Sequence, residues 1–492
     1  MKILFLVARF LPKHFGGSEL VTYDLAQALM QQHQVRVAYA EELVGVDPGK
    51  PAELAHSSEQ GIAVSRILYP YSKEPAVVYN LINRAVLPAF QQLLDEFQPD
   101  IIHVQHLGRL SAGVLWEAAK RDIPLLATLH DFWFLCGRYH LVTVDGSLCD
   151  GPRGGVECAL RGCYRSLSDT FDPFPPVEPK AAPAATQPAA AHSCPLTCAL
   201  KRLLPARVKR SLRALLQGEA VRGAMPPAPV APAKGPMPDE PELFAHYRTW
   251  LARETLRLFS LLISPSEFLR SRYIQYGVAP ERILRVPNSV SQNRFLGFCR
   301  EKSSRLRFGY IGSSDVKKGI HDLIFAFNRL APEEAELVIA GPSDDAYAQK
   351  LRAHAAHPGI RFMGKLAANA VRSFYENIDV MALPSLCYEN APLSILEAFY
   401  TKTPVIAVRA GGWRNWSGRG RTAYSTGGAT RRTCWPSCGP LPAIRAWSDG
   451  WPGARRRSGA PPRMRKKWWN SIRPYFPNAG DKIDAASWAK VT

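Results

Sequence analysis

Several things are missing from this 492-residue chain, and each absence narrows the reading. No run of 18 or more apolar residues occurs, so no membrane-spanning helix is expected. The apolar start, MKILFLVA, is too short and wrongly flanked for a secretory leader, and it reads as a buried first strand. Ten cysteines at irregular spacings do not make a secreted disulfide framework, and they point to reduced thiols in a cytoplasmic protein. No Asp-x-Asp pair is present, so a metal-bridged diphosphate is not indicated. The turn after the first strand carries Gly16-Gly17 rather than G-x-G-x-x-G, which gives no support to a dinucleotide cofactor. Glutamate disappears altogether after Glu397.

What is abundant is positive charge, with a net of +20. Such a balance invites nucleic-acid or membrane readings. It is unevenly placed, however. Residues 413–492 hold 16 Lys and Arg against 3 Asp, a net of +13, and residues 1–412 hold 46 basic against 39 acidic, a net of +7. Eight of the 11 tryptophans share that last segment. The charge is thus a property of one aberrant stretch, and a nucleic-acid partner is not inferred.

Strand and helix patterns alternate through the first 130 residues: KILFLVA, GGSELVTYDLAQALMQQH, VRVAYA, PDIIHVQH, SAGVLWEAAKRD and PLLATLHD. Continuous apolar strands between helices predict a parallel sheet covered on both faces. A Pro/Ala-rich insertion follows, with one short basic helix expected over residues 200–216. Order resumes with a helix near 242–258 and the strands LLISPS and RILRVPNS. A second α/β unit then runs through LRFGYIGS, GIHDLIFAFNRL, AELVIAG, GIRFMG, VRSFYENI, VMALPS and PVIAV. The expected fold class is α/β, with two doubly wound Rossmann-like units facing a cleft at the carboxyl ends of their strands. The expected boundaries are 1–165 for the first unit, 166–240 for the insertion, 241–300 for the rest of the first unit and the link, 301–412 for the second unit, and 413–492 for the basic tail.

The richest segment is ENAPLSILEAFYTKTPVIAVRAGG, residues 389–412. Glu389 and Glu397 flank a proline-opened apolar helix, and eight residues on a helix rise about 12 Å, the scale of a sugar diphosphate. Pro392 suits a first helical position, and the free amides there make an anion site. Lys317-Lys318-Gly319 follows a strand and a polar loop. A lysine so placed can neutralise a departing diphosphate, while the plain alternative is a solvated pair. His130-Asp131 ends the strand PLLATL, either touching a substrate hydroxyl or closing the strand. Gly16-Gly17 allows close backbone approach, or simply makes a turn. Cys136, Cys149, Cys158 and Cys163 are separated by 12, 8 and 4 residues. That is not the paired C-x2-C spacing of zinc sites, so a structural zinc is a weak second reading to free thiols.

Together these residues resemble the retaining glycosyltransferases of family 4, over roughly 1–165 and 240–412. The elements are E-x7-E at Glu389 and Glu397, Gly16-Gly17, His130-Asp131, ISPSEFLR, VPNS and IGSSDVKKG. The resemblance implies the GT-B fold and transfer of a sugar from a nucleotide-sugar donor, without a further cofactor. It implies Glu397 on the ribose, Glu389 on the donor sugar, and Lys318 on the diphosphate, with Asn390, Ala391, Pro392 and Leu393 around the donor and the amides after Asn390 completing the diphosphate site. His130 and Glu389 would sit at the reacting sugar, Gly17 would border donor and acceptor, and Gly16 and Asp131 would face the acceptor. The acceptor would be a carbohydrate or a lipid-linked sugar, in cell-envelope or polysaccharide assembly, with peripheral contact at the inner face of the membrane. The alternatives are another GT-B activity, such as a nucleotide-sugar epimerase, and an inactive remnant that binds nucleotide sugar only. Ser313 stands where the family usually has arginine, and Ser289 where it has glycine.

The larger departure follows Gly412. Family members continue with a sequence like MAELV, where this chain reads WRNWS. Written as ATG GCG GAA CTG GTC with the first base dropped, MAELV becomes W-R-N-W-S. The next residues, shifted back by one base, permit a G-L-L-F strand and a G-D-A-A-D-L helix start. Residues 413 onward therefore read as a shifted frame of a GC-rich gene, and the expectation is a second domain cut short after Gly412.

Overall fold

Two doubly wound sheets, one from each half of the chain, build the protein in this computed structural model. It describes residues 1–70, 83–151, 251–413 and 423–426, apart from Pro48, Glu334, Pro342, Ser343 and Arg409, together with Cys158, Cys163, Pro173 and Phe174.

The first sheet is organised around β1 (Lys2–Leu6), whose side chains alternate between two apolar layers. Leu4 and Leu6 pack with Phe90, Leu93 and Leu115 on one face, while Ile3 and Phe5 pack with Ala26 and Leu29 on the other. This two-sided burial is why KILFL reads as a continuous apolar run. β1 pairs in parallel with β2 (Gln34–Leu43) and β5 (Ile101–Val104). β6 (Leu125–Thr128), β7 (Leu261–Ser264) and β8 (Ile283–Arg285) extend the sheet on the β5 side, again in parallel. The helices are α1 (Gly17–Leu29), α2 (Leu87–Phe97), α3 (Gly113–Ala119) and α4 (Glu267–Gln275). The other edge corrects the expectation of a purely parallel sheet. There β3 (Glu53–Glu59) and β4 (Ile62–Pro70) form an antiparallel hairpin. Its turn is Gln60-Gly61, both at positive φ (51° and 83°), the two-residue geometry that suits the twist of paired strands.

The second sheet is wholly parallel, in the order β11-β10-β9-β12-β13-β14. Its strands are β9 (Leu306–Ile311), β10 (Ala335–Ala340), β11 (Ile360–Gly364), β12 (Val380–Leu383), β13 (Val405–Val408) and β14 (Ala423–Thr426). Its helices are α5 (Ile320–Phe327), α6 (Ala346–His354), α7 (Ala370–Glu376) and α8 (Leu393–Tyr400). Arg307 is buried within β9 because its guanidinium forks onto Asp379 at 3.1 and 3.2 Å, tying β9 to the start of β12. Removing one partner alone would leave a buried charge unpaired.

The chain divides into two compact units, Met1–Phe174 with Met237–Thr492, and Pro175–Pro236. The second unit lies outside the described residues, and with it the expected helix at 200–216. Of the helix expected over 242–258, residues 251–258 are described and helical. Phe174, assigned to the insertion by its composition, is buried against His321, Phe325, Tyr347 and His354 of the second half. Among the described residues, no helix is long and apolar enough to cross a membrane.

The second sheet also continues past Gly412. β14 pairs with β13, and Trp413 is 1% exposed in the core beside Ile395, Ala398 and Val405, its Nε1 donating to the Val408 carbonyl at 3.1 Å. Residues 414–422 and 427–492 lie outside the described residues, and with them most of the expected aberrant tail. Truncating Trp413 to alanine is expected to cost about 3–5 kcal/mol in denaturant unfolding. Trp413→Met, which fills the space with a flexible apolar chain, is expected to cost less in the same measurement.

Candidate functional site

The carboxyl ends of both sheets open onto one cavity of about 590 Å³. All the site residues expected from the sequence line it: Gly16, Gly17, His130, Asp131, Lys318, Glu389, Asn390, Ala391, Pro392, Leu393 and Glu397. Each is delivered by the loop that follows a strand. Gly16-Gly17 comes after β1, His130-Asp131 after β6, Lys318 after β9, and the 389–397 segment after β12.

Glu389 and Lys318 meet each other directly. The Lys318 ammonium lies 2.6 Å from Glu389 Oε1, which also accepts from Ser385 Oγ at 2.5 Å. Burial would raise the Glu389 pKa, but Lys318 and Ser385 outweigh it and hold the carboxyl below its ordinary range. Burial alone would lower the Lys318 pKa, but Glu389 outweighs it and pushes the ammonium well above its ordinary range. Glu389 is not on the helix, which begins four residues later, so its distance from Glu397 is not a helical rise. Its backbone is fixed instead by the glycine pair. The Gly412 amide donates to the Glu389 carbonyl at 2.7 Å, and Gly411 bridges to Glu389 in parallel. A β-carbon on Gly411 would overlap the Glu389 carbonyl oxygen, and its φ of +90° is one that L side chains avoid.

Pro392 is the N-cap of α8, with extended backbone (ψ 125°), rather than its first helical residue. As the residue before Leu393 it lends its carbonyl to the amides of Ile395 and Leu396. No cap side chain folds over the helix start, and the amides of Leu393 and Ser394 donate to no described residue. Both residues line the cavity, so the positive end of α8 opens into it. Glu397 sits further along the same helix, 6% exposed, accepting from Tyr375 Oη at 3.2 Å. Burial raises its pKa, opposed by nearby Arg294. Arg294 is itself held by both oxygens of Asp24 on α1, at 3.0 and 3.2 Å, so the two halves of the molecule are joined beside Glu397.

Across the cavity, burial lowers the His130 pKa to about 4, leaving a neutral ring. Its Nε2 is 2.7 Å from Gln105 Oε1, an acceptor, so Nε2 carries the proton and Nδ1 keeps a lone pair. Gln105 leans in turn on His103, and His103 on Thr128. Both oxygens of Asp131 are taken, one by the Trp133 amide at 2.8 Å and the other by His106 Nε2 at 3.2 Å. Asp131 therefore orders this wall more than it presents a free carboxylate. Asn390 Nδ2 donates to the His130 carbonyl at 2.9 Å and spans the cleft.

The cysteine cluster does not converge. Cys136 and Cys163 are buried, and Cys149 turns its sulfur toward Gly151. No group of three or more His, Cys, Asp or Glu side chains among the described residues is arranged to hold a metal ion. Sequence reading had missed Arg294, Asp24, Tyr375, Gln105 and Ser385. A polar residue at a strand's carboxyl end, as in HVQH, is a usable signal for Gln105. Nothing local marks the Asp24–Arg294 pair, whose members stand 270 residues apart.

This architecture is that of the GT-B fold, and one stretch in each half of the chain matches a glycosyltransferase family model. Residues 305–428 match the family described as Glycosyl transferases group 1, and residues 15–149 match Glycosyltransferase Family 4. The first match carries past Gly412 through β14. The glycogen synthase of Mycobacterium tuberculosis (strain CDC 1551 / Oshkosh) is 27% identical over 219 residues, 43% of this chain and 50% of that protein. The chain thus spans about half the length of the curated relatives it matches. Among solved structures, sucrose-phosphate synthase from Thermosynechococcus elongatus superposes with a TM-score of 0.54 at 15% identity, covering 91% of this chain and 90% of its own. Anabaena HepE, crystallised with UDP and glucose, gives 0.51 at 15% identity with the same coverage. At such identities these structures establish the shared fold.

Two outcomes follow from the geometry. Gly411→Ala is expected to lose at least about 1–2 kcal/mol of stability from backbone strain, and to disorder the Lys318–Glu389 contact. Denaturant unfolding and a crystal structure of the variant check this. Glu397 holds its proton more tightly when folded than when unfolded, so its contribution to stability falls as pH rises from 4.5 through its folded pKa. Glu397→Gln removes that penalty. Its Tm is expected to exceed the parent's at pH 7, and the gap is expected to narrow toward pH 4.

Proposed function

We propose that this protein transfers a sugar from a nucleoside-diphosphate sugar to an acceptor hydroxyl, with retention at the anomeric carbon. The observation that carries the reading is the grouping, in one cavity, of the Lys318–Glu389 pair, the open amides of Leu393 and Ser394, and buried Glu397. A diphosphate fits the helix start beside Lys318, the ribose hydroxyls fit Glu397, and the transferred sugar fits Glu389. Anabaena HepE, which shares the fold, was crystallised with UDP and glucose, and this supports a uridine-type donor and a hexosyl group.

As the bond to the sugar breaks, negative charge grows on the departing diphosphate. Lys318 and the dipole of α8 are already aimed at it, so stabilisation needs no reorganisation. These groups supply positive charge without calling on a metal-bridged donor. Glu389 Oε1 accepts from both Lys318 and Ser385, so the carboxylate acts as an oriented acceptor for sugar hydroxyls rather than as an attacking nucleophile. Neutral His130, with Nδ1 as acceptor, lines the opposite wall, on the acceptor side together with Gly16 and Gly17. Catalysis on this reading is positioning plus charge stabilisation. The glycogen synthase relative supports a role in polysaccharide assembly, and the same reading extends to cell-envelope assembly in the cytoplasm or at the inner face of the membrane. We further propose that the basic segment after Gly412 is a shifted reading frame. Sequencing the coding DNA tests this, and another frame without a family-like continuation overturns it.

The purified chain should release nucleoside diphosphate from one donor of a UDP-, ADP- and GDP-sugar panel only when an acceptor is present, and NMR of the product should show the donor's anomeric configuration. Glu397→Ala should raise the donor KM about 10- to 100-fold, the worth of a lost hydrogen bond to a charged group. Epimerised donor formed without acceptor would indicate the epimerase reading instead, and nucleotide binding without turnover the inactive remnant.

A further inference from the structure

Two groups of cations stand in and beside the cavity, and only one of them is directly ion-paired, although Glu19 also lines the cavity near Arg9. In the donor half, Lys318 pairs with Glu389, Lys317 with Asp315, and Arg294 with Asp24. At the other mouth, Arg9 in the loop after β1 and Lys365 in the turn after β11 line the cavity beside His14 and Phe15. Arg9 makes no hydrogen bond or ion pair with any described residue, and the carboxylates that act on it from further away are Glu19 and Glu42. Those two are engaged elsewhere, Glu19 accepting from Ser18 and Glu42 from Tyr69. Lys365 reaches across from the second half to donate to the Lys13 carbonyl at 2.7 Å, with its ammonium 5.5 Å from the centre of the Phe15 ring. No described carboxylate pairs with it.

Two of the three histidines in the lining, His14 and His140, register the two groups separately. Burial first, and then Arg9, Lys365 and Arg109, hold the His14 pKa below its ordinary value against Glu41. Burial first, and then Lys317, Lys318 and His106, hold His140 low. The cations around His14 are thus a different set from those of the diphosphate site. Gathering like charges in a partly desolvated wall costs free energy that an arriving anion recovers. A guanidinium with its whole fork open is also well shaped for bidentate contact with phosphate or carboxylate.

We propose that the acceptor half of the cavity binds an anionic group of the acceptor, a phosphate monoester or a carboxylate, through Arg9 and Lys365 around His14. This rests on the glycosyl-transfer reading, since it takes that half of the cavity to be the acceptor's. It extends the reading by naming the acceptor's chemical class.

Calorimetric titration of the full chain saturated with UDP tests it, with glucose 6-phosphate and glucose as probes. Glucose 6-phosphate is expected to bind at least about tenfold more tightly than glucose, as one charge-assisted contact requires. Arg9→Gln and Lys365→Gln should each remove most of that difference, Arg9→Lys should restore part of it, and UDP affinity should stay unchanged throughout. Equal binding of the two sugars overturns the proposal. So does competition between glucose 6-phosphate and UDP, or an Arg9→Gln effect on UDP alone, either of which would assign Arg9 to the donor's diphosphate. A parallel arm with phosphatidylglycerol and phosphatidylcholine vesicles separates the sources, because sedimentation with the anionic vesicles that Arg9→Gln abolishes identifies a lipid headgroup as the anion. If UDP itself fails to bind, the proposed function falls. Glucose 6-phosphate titrated alone against the parent and Arg9→Gln then still decides the anion site.

Discussion

The Lys318–Glu389 side of the cavity depends on a backbone contact that only glycine can make. Gly411 and Gly412 lie against the carbonyls of Glu389 and Asn390 with no room for a side chain, and the Gly412 amide closes a hydrogen bond to Glu389. That contact sets where the Glu389 carboxylate stands. The carboxylate sets where Lys318 stands, and the same loop delivers the open start of α8. Three functional features therefore follow from one close approach between two strand-end loops. Because only two residues separate the glycines from the end of β13, the packing of that strand and of Trp413 behind it supports the loop in front.

Much of this was legible in the sequence because each feature rests on local pattern. Apolar runs such as KILFL and VMAL are strands buried on both faces, and the loops at their carboxyl ends must face the cleft in a parallel α/β layer. Gly16, His130, Lys318 and Glu389 were placed correctly by that argument. The misses share a cause. The β3–β4 hairpin is a half-exposed edge whose polar strand, ELAHSSE, carries little apolar signal. Pro392 caps rather than begins its helix because its extended ψ lets its carbonyl serve the first turn. Asp24 with Arg294, and Gln105 with His130, depend on chain segments brought together only by the fold.

Both halves of the cleft are linked across it at several points. Asn390 bonds the His130 carbonyl, Arg294 bonds Asp24, and Lys365 bonds the Lys13 carbonyl. All three are polar contacts at the rim or wall of the cavity, where water can replace a partner at modest cost. Such links favour a closed arrangement without locking it, which on the proposed reading suits a cleft that admits a large donor.

The Lys318–Glu389 contact makes this part of the site electrically self-contained. A simple anion entering there would draw the ammonium away and strand a buried carboxylate with only Ser385 for company. On the proposed reading, a sugar joined to a diphosphate would not incur that loss, because its phosphate would take the lysine while its hydroxyls took the glutamate. The pair would then act as a two-key lock, discriminating against free phosphate and free sugar alike in favour of the molecule that carries both.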